Sequence, residues 1–107
     1  MQHLTTPELA AWIENAARQK PVLLDVREPW EFRTCRIDGS FNIPMHTLPG
    51  KLSELDAVQP IVCICHHGVR SLQVGLLLER NGFTQISNLT GGVHAWVRQV
   101  DGTMPTY

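Results

Sequence analysis

The fold is decided by Pro60-Ile61-Val62-Cys63-Ile64-Cys65-His66-His67-Gly68-Val69-Arg70-Ser71-Leu72-Gln73-Val74-Gly75-Leu76-Leu77-Leu78-Glu79-Arg80. After Pro60, the short apolar run of Ile, Val and Cys reads as a buried strand. The Leu-rich run beyond the turn reads as a long helix, stopped by Asn81-Gly82. Cys65 falls where the strand ends and the chain turns towards the helix. The first N–H groups of a helix lack intrahelical partners and carry partial positive charge, which favours a thiolate and suits an oxyanion. Gly68 permits positive φ or a close backbone approach in the turn. Arg70 adds a cation with a planar fork for anionic oxygens. Nucleophile, anion cradle and cation thus share one short stretch.

Working towards the N-terminus, Thr6-Pro7-Glu8-Leu9 predicts a helix start with Thr6 as its cap. Leu9, Trp12, Ile13, Ala16 and Ala17 give that helix one apolar face, with Trp12 in the core and Lys20-Pro21 as the end. Val22-Leu23-Leu24-Asp25-Val26 reads as a strand buried on both faces, as in a parallel sheet. Asp25 lies near its carboxyl end, where open α/β sheets place ligands. An unpaired buried carboxylate is costly, so Asp25 is expected to hold loop N–H groups or Arg27 rather than to react. Residues 27–33 form a turn or short helix, with Trp30 in the core or on a pocket wall. Phe41-Asn42-Ile43-Pro44 is a brief strand ended by proline. Residues 45–59 are loop with one short helix, Pro49-Gly50 marking a turn.

Towards the C-terminus, Ile86-Ser87-Asn88-Leu89 reads as the last strand and Gly91-Gly92 opens a closing helix in which His94 is structural. Residues 101–107 form an irregular tail. Strands alternate with helices throughout, which predicts a parallel sheet covered on both faces.

Composition narrows the function classes. The 107 residues, 43% hydrophobic and 18% charged, are those of one soluble globular domain. A net charge of −1 gives no case for nucleic acid or an anionic membrane. No apolar run approaches about 18 residues, and Met1–Thr6 lacks the pattern of a signal peptide. Cys63 and Cys65 stand too close for a disulfide framework, so a reducing compartment, the cytoplasm, is expected.

Leu23–Phe32, Ile37-Asp38-Gly39-Ser40-Phe41-Asn42-Ile43-Pro44 and Asn88–Trp96 resemble the framework of rhodanese domains, and Cys65–Ser71 resembles their active-site loop. The match runs from about residue 5 to residue 98 in order. It departs at Cys35-Arg36, where family members often carry Gly-His; Cys35 reads as a tolerated small residue. The resemblance implies a three-layer α/β domain with a central five-stranded, mostly parallel sheet. It implies a sulfurtransferase that moves a sulfane sulfur from an anionic donor such as thiosulfate to cyanide or a thiol, through a persulfide on Cys65. His66, His67, Gly68, Val69 and Arg70 then hold substrate, with Asp25, Arg27 and Trp30 in support. A sulfur-carrier protein is a further partner class, and no metal or organic cofactor is implied.

Three other readings compete. Cysteine phosphatases separate Cys and Arg by five residues, whereas Cys65 and Arg70 enclose four, a tighter cradle than phosphate needs. A non-catalytic rhodanese-like recognition module would usually lack the cysteine, which is present here. Cys63, Cys65, His66 and His67 have zinc-binding side chains. Their adjacency at an apolar strand end does not suit one tetrahedral ion, so no metal is expected.

Overall fold

The structure, a computed structural model, describes residues 1–107. Its strands are β1 (Gln2–Leu4), β2 (Val22–Asp25), β3 (Phe41–Asn42), β4 (Ile61–Ile64) and β5 (Ile86–Leu89). Its α-helices are α1 (Thr6–Glu14), α2 (Pro29–Thr34), α3 (Val69–Arg80) and α4 (Gly92–Gln99), and Leu48–Glu54 forms a 3-10 helix. The strands make one sheet in the order β1-β5-β4-β2-β3, and every pairing is parallel. The expected five-stranded α/β architecture is present.

Both faces of the sheet are covered. Leu23, Val62, Ile64 and Leu89 pack with Leu9 and Trp12 of α1 and with Val93 and Trp96 of α4. Leu24, Ile61, Cys63 and Ile86 pack on the other side with Val74 and Leu78 of α3, and with Leu48 and Phe83. All four residues of β4 are fully buried, as a central parallel strand requires. Because all strands run the same way, the carboxyl ends of β2, β4 and β5 share one edge. The segments leaving Asp25, Ile64 and Leu89 therefore meet there.

Four details differ from the sequence reading. The fifth strand is β1, an exposed edge segment held by its main chain: Thr90 N–H donates to Leu4 O at 2.8 Å. The cap of α1 is Thr5, not Thr6; Thr5 Oγ accepts from Glu8 N–H while the Glu8 carboxylate accepts from Thr5 N–H, a reciprocal capping box. That helix ends at Glu14, because Asn15 leaves the helical conformation and its Oδ1 accepts from Ala17 N–H. Ala16 and Ala17 are consequently exposed. Pro49-Gly50 lies inside the 3-10 helix, with Pro49 in its first turn where a missing N–H costs nothing.

Candidate active site

Cys65 follows β4 directly, at the floor of the turn into α3. Its Sγ accepts from Gly68 N–H at 3.0 Å and lies 3.3 Å from Ser71 Oγ. The N–H groups of His66, His67, Val69, Arg70 and Ser71 donate to no protein acceptor. The turn that holds the sulfur thus carries five N–H groups free of protein acceptors, beside the one that reaches Sγ. Gly68 has φ +109°, which an L side chain rarely adopts. The Cys65 side chain is almost wholly enclosed, 1% exposed.

Two neighbouring segments fix this loop. Val93 N–H donates to Cys65 O at 2.9 Å and His94 N–H to His66 O at 3.0 Å, bolting the start of α4 to the loop. A Cβ on Gly92 would overlap both of those carbonyl oxygens, so only glycine allows this approach. Behind the sulfur, Ser71 Oγ donates to Asn88 Oδ1 at 2.5 Å, and Asn88 Nδ2 donates to Gly68 O at 3.3 Å. Ser71 and Asn88 are both buried. The sequence places Ser71 at the end of the loop without a role and does not place Asn88 in the site; the one signal was a polar Asn within a buried strand.

The supporting residues form a charged wall. Arg27 is completely buried, and its Nε and Nη2 fork onto Asp25 at 2.7–3.0 Å. Its Nη2 also donates to Cys35 O at 2.6 Å. Burial opposes the Arg27 charge, but the bonds and charge of Asp25 outweigh it and raise its pKa. Asp25 therefore anchors Arg27, as expected from the cost of an unpaired buried charge. Arg70 lies in the first turn of α3, where Nη1 and Nη2 fork onto Glu31 of α2 at 2.7 and 2.9 Å. This fork holds the Glu31 carboxyl down at about 2, against the opposing effect of its burial, and raises the pKa of Arg70.

Tyr107 closes the network. Arg27 Nη1 donates to Tyr107 Oη at 2.9 Å, and Tyr107 donates to Glu31 Oε1 at 2.9 Å. Its ring lies 4.5 Å from that of His66 and 5.2 Å, edge-on, from Trp30. Burial is the main cause that pushes its hydroxyl up to about 12. The tail is irregular as expected, but its last residue lies against the site, which no pattern in the sequence indicated. Trp30 is 53% exposed, so it does not pack in the core; the outward face of the short helix α2 presents it beside Tyr107.

Of the loop side chains, His67 and Val69 are exposed and His66 is half-buried. Burial first, then the charges of His67, His94 and Arg27, lower the pKa of His66, with Glu31 opposing. The His66, His67 and His94 rings cluster, with centroids 4.3 to 5.6 Å apart. Cys63 faces the α3 side with Cys65, as strand alternation dictates, and burial pushes its thiol up to about 12. It is an inert core residue.

The protein YqhL of Bacillus subtilis is 40% identical over 82 residues, covering 77% of this chain and 65% of its own. The thiosulfate sulfurtransferase GlpE of Stutzerimonas stutzeri is 32% identical over 90 residues, covering 84% of this chain and 80% of its own. The chain spans only 24% of the Aspergillus fumigatus adenylyltransferase and sulfurtransferase uba4, at 31% identity over 83% of this chain. The crystal structure of a rhodanese-like domain protein from Staphylococcus aureus superposes with a TM-score of 0.85 at 31% identity, over 100% of this chain and 99% of the other. The family model of the rhodanese-like domain matches residues 5–99, and the chain belongs to the rhodanese-like domain family.

Proposed function

We propose that this chain is a sulfurtransferase that moves a sulfane sulfur from an anionic donor such as thiosulfate to cyanide or a thiol through a Cys65 persulfide. The Cys65 thiolate attacks the outer sulfur of thiosulfate. The donor's S–S bond breaks, and sulfite leaves with the electron pair. The acceptor then attacks the outer persulfide sulfur, returning the pair to Cys65 and leaving as thiocyanate or a new persulfide. No oxidant, metal or organic cofactor enters this balance.

The observation that carries the reading is the set of unpaired loop N–H groups in the turn that holds Sγ. Gly68 N–H reaches the sulfur, and five further loop N–H groups stand without protein acceptors. Such pre-oriented donors stabilise an oxyanion, and equally the charge of a persulfide, without reorganising during the reaction. His66, His67, Gly68 and Val69 contribute through their backbone. Arg70 has its fork on Glu31, which fixes its orientation and leaves its Nε–H and second Nη hydrogens for donor oxygens. Asp25, Arg27 and Trp30 act from behind and beside the loop. A sulfur-carrier protein is a further acceptor class. The three free cysteines suit a reducing compartment, which we take to be the cytoplasm. No helix is long and apolar enough to cross a membrane.

Steady-state kinetics with thiosulfate and cyanide test this reading. Parallel double-reciprocal lines are expected, with turnover abolished in a folded Cys65→Ser. Turnover retained by Cys65→Ser would overturn the mechanism.

A further inference from the structure

We propose that His66, His67 and His94 form a binding site for a divalent transition-metal ion of the zinc type beside the Cys65 loop. Each offers one imidazole nitrogen, and these atoms lie within 4.8 Å of one another. The ring centroids are 4.3 Å apart for His66 and His67, 5.6 Å for His66 and His94, and 4.9 Å for His67 and His94. Three imidazoles on one tetrahedral ion, with metal–nitrogen bonds of about 2.0–2.1 Å, place their centroids about 5 Å apart and their ligating nitrogens about 3.3 Å apart. The rings already stand at the required separation. Side-chain rotation that draws the nitrogens together by up to about 1.5 Å completes the set.

The scaffold favours that closure. His66 and His94 sit on backbones joined directly, since His94 N–H donates to His66 O at 3.0 Å. His67 is exposed and free to swing onto an ion held by the other two. A separate observation points to a ligand. His66 Nδ1 is buried and has no hydrogen-bond partner, and a bound ion is one of the explanations that such an orphaned buried atom in a native protein calls for. Three neutral imidazoles with no carboxylate select a borderline ion over magnesium or calcium and leave a coordination position open. This set differs from the cysteine-containing one that the sequence spacing argues against. His94, read from sequence as structural, supplies the third nitrogen from another element.

Cobalt(II) titration at about pH 7.5 tests the site, since its visible bands report coordination directly. Wild type and Cys65→Ala are expected to bind one ion each, with d–d bands and no sulfur-to-cobalt charge transfer. His94→Gln and His67→Gln are expected to bind at least about ten-fold more weakly, at unchanged melting temperature. Should His94→Gln fail to fold, His67→Gln, altered at an exposed side chain, carries the same comparison. Absence of binding by wild type, its loss in folded Cys65→Ala, or undiminished binding by a folded histidine variant would overturn the proposal.

Discussion

Replacing Glu31 by Gln removes the charge on which two parts of the site converge. The carboxylate takes the Arg70 fork at 2.7 and 2.9 Å and the Tyr107 hydroxyl at 2.9 Å, and it is almost fully buried. These partners, Arg70 foremost, hold its pKa at about 2 against an ordinary 4.5. A folded-state value below the unfolded one means stability that is fully present above pH 4.5 and lost as the pH falls through about 2. The difference corresponds to about 3 kcal/mol, roughly half of it gone by pH 3. Glu31→Gln lacks this contribution at every pH. Urea unfolding followed by tryptophan fluorescence should therefore show wild type about 3 kcal/mol more stable than Glu31→Gln at pH 7, and the gap should shrink by about half at pH 3. A gap that is absent at pH 7, or the same at both pH values, would mean that the Glu31 carboxylate does not stabilise the fold through Arg70 and Tyr107.

Two further perturbations probe the loop. Gly92→Ala puts a methyl group against the Cys65 and His66 carbonyl oxygens at φ +59°. Strain and overpacking should together destabilise by at least about 2 kcal/mol and lower kcat, as read by thermal melts and transfer assays. Normal stability and activity would mean the start of α4 does not fix the loop. Alkylation with iodoacetamide, mapped by peptide mass, should modify Cys65 well before Cys63, whose thiol burial pushes up to about 12. Equal labelling would contradict the inert core position of Cys63.

The sequence was most legible where structure and chemistry are local. The stretch from Pro60 to Arg80 carries strand, turn and helix in one continuous pattern, and all three are present, with Cys65 at the turn between them. The anchoring of Arg27 by Asp25 was legible because two residues of separation and the cost of a buried charge leave few alternatives. What stayed hidden depends on partners distant in sequence. Gln2-His3-Leu4 has no strand periodicity and becomes β1 only through main-chain bonds at the β5 edge. The Arg70 fork spans 39 residues to Glu31, and the Tyr107 contact spans 76. No local pattern reports pairings at such range. Ser71 and Asn88 are of the same kind, meeting across 17 residues behind Cys65. Ala16 and Ala17 misled because they favour a helix wherever they occur, while the Asn15 turn decides where this one ends.

In the proposed reaction Cys65 carries the transferred sulfur. Intact mass after incubation with thiosulfate, before and after cyanide, tests it most directly. A gain of one sulfur atom, about 32 Da, that maps to Cys65 and disappears with cyanide is expected. No gain on folded protein with a free Cys65, or a gain that maps elsewhere, would contradict it.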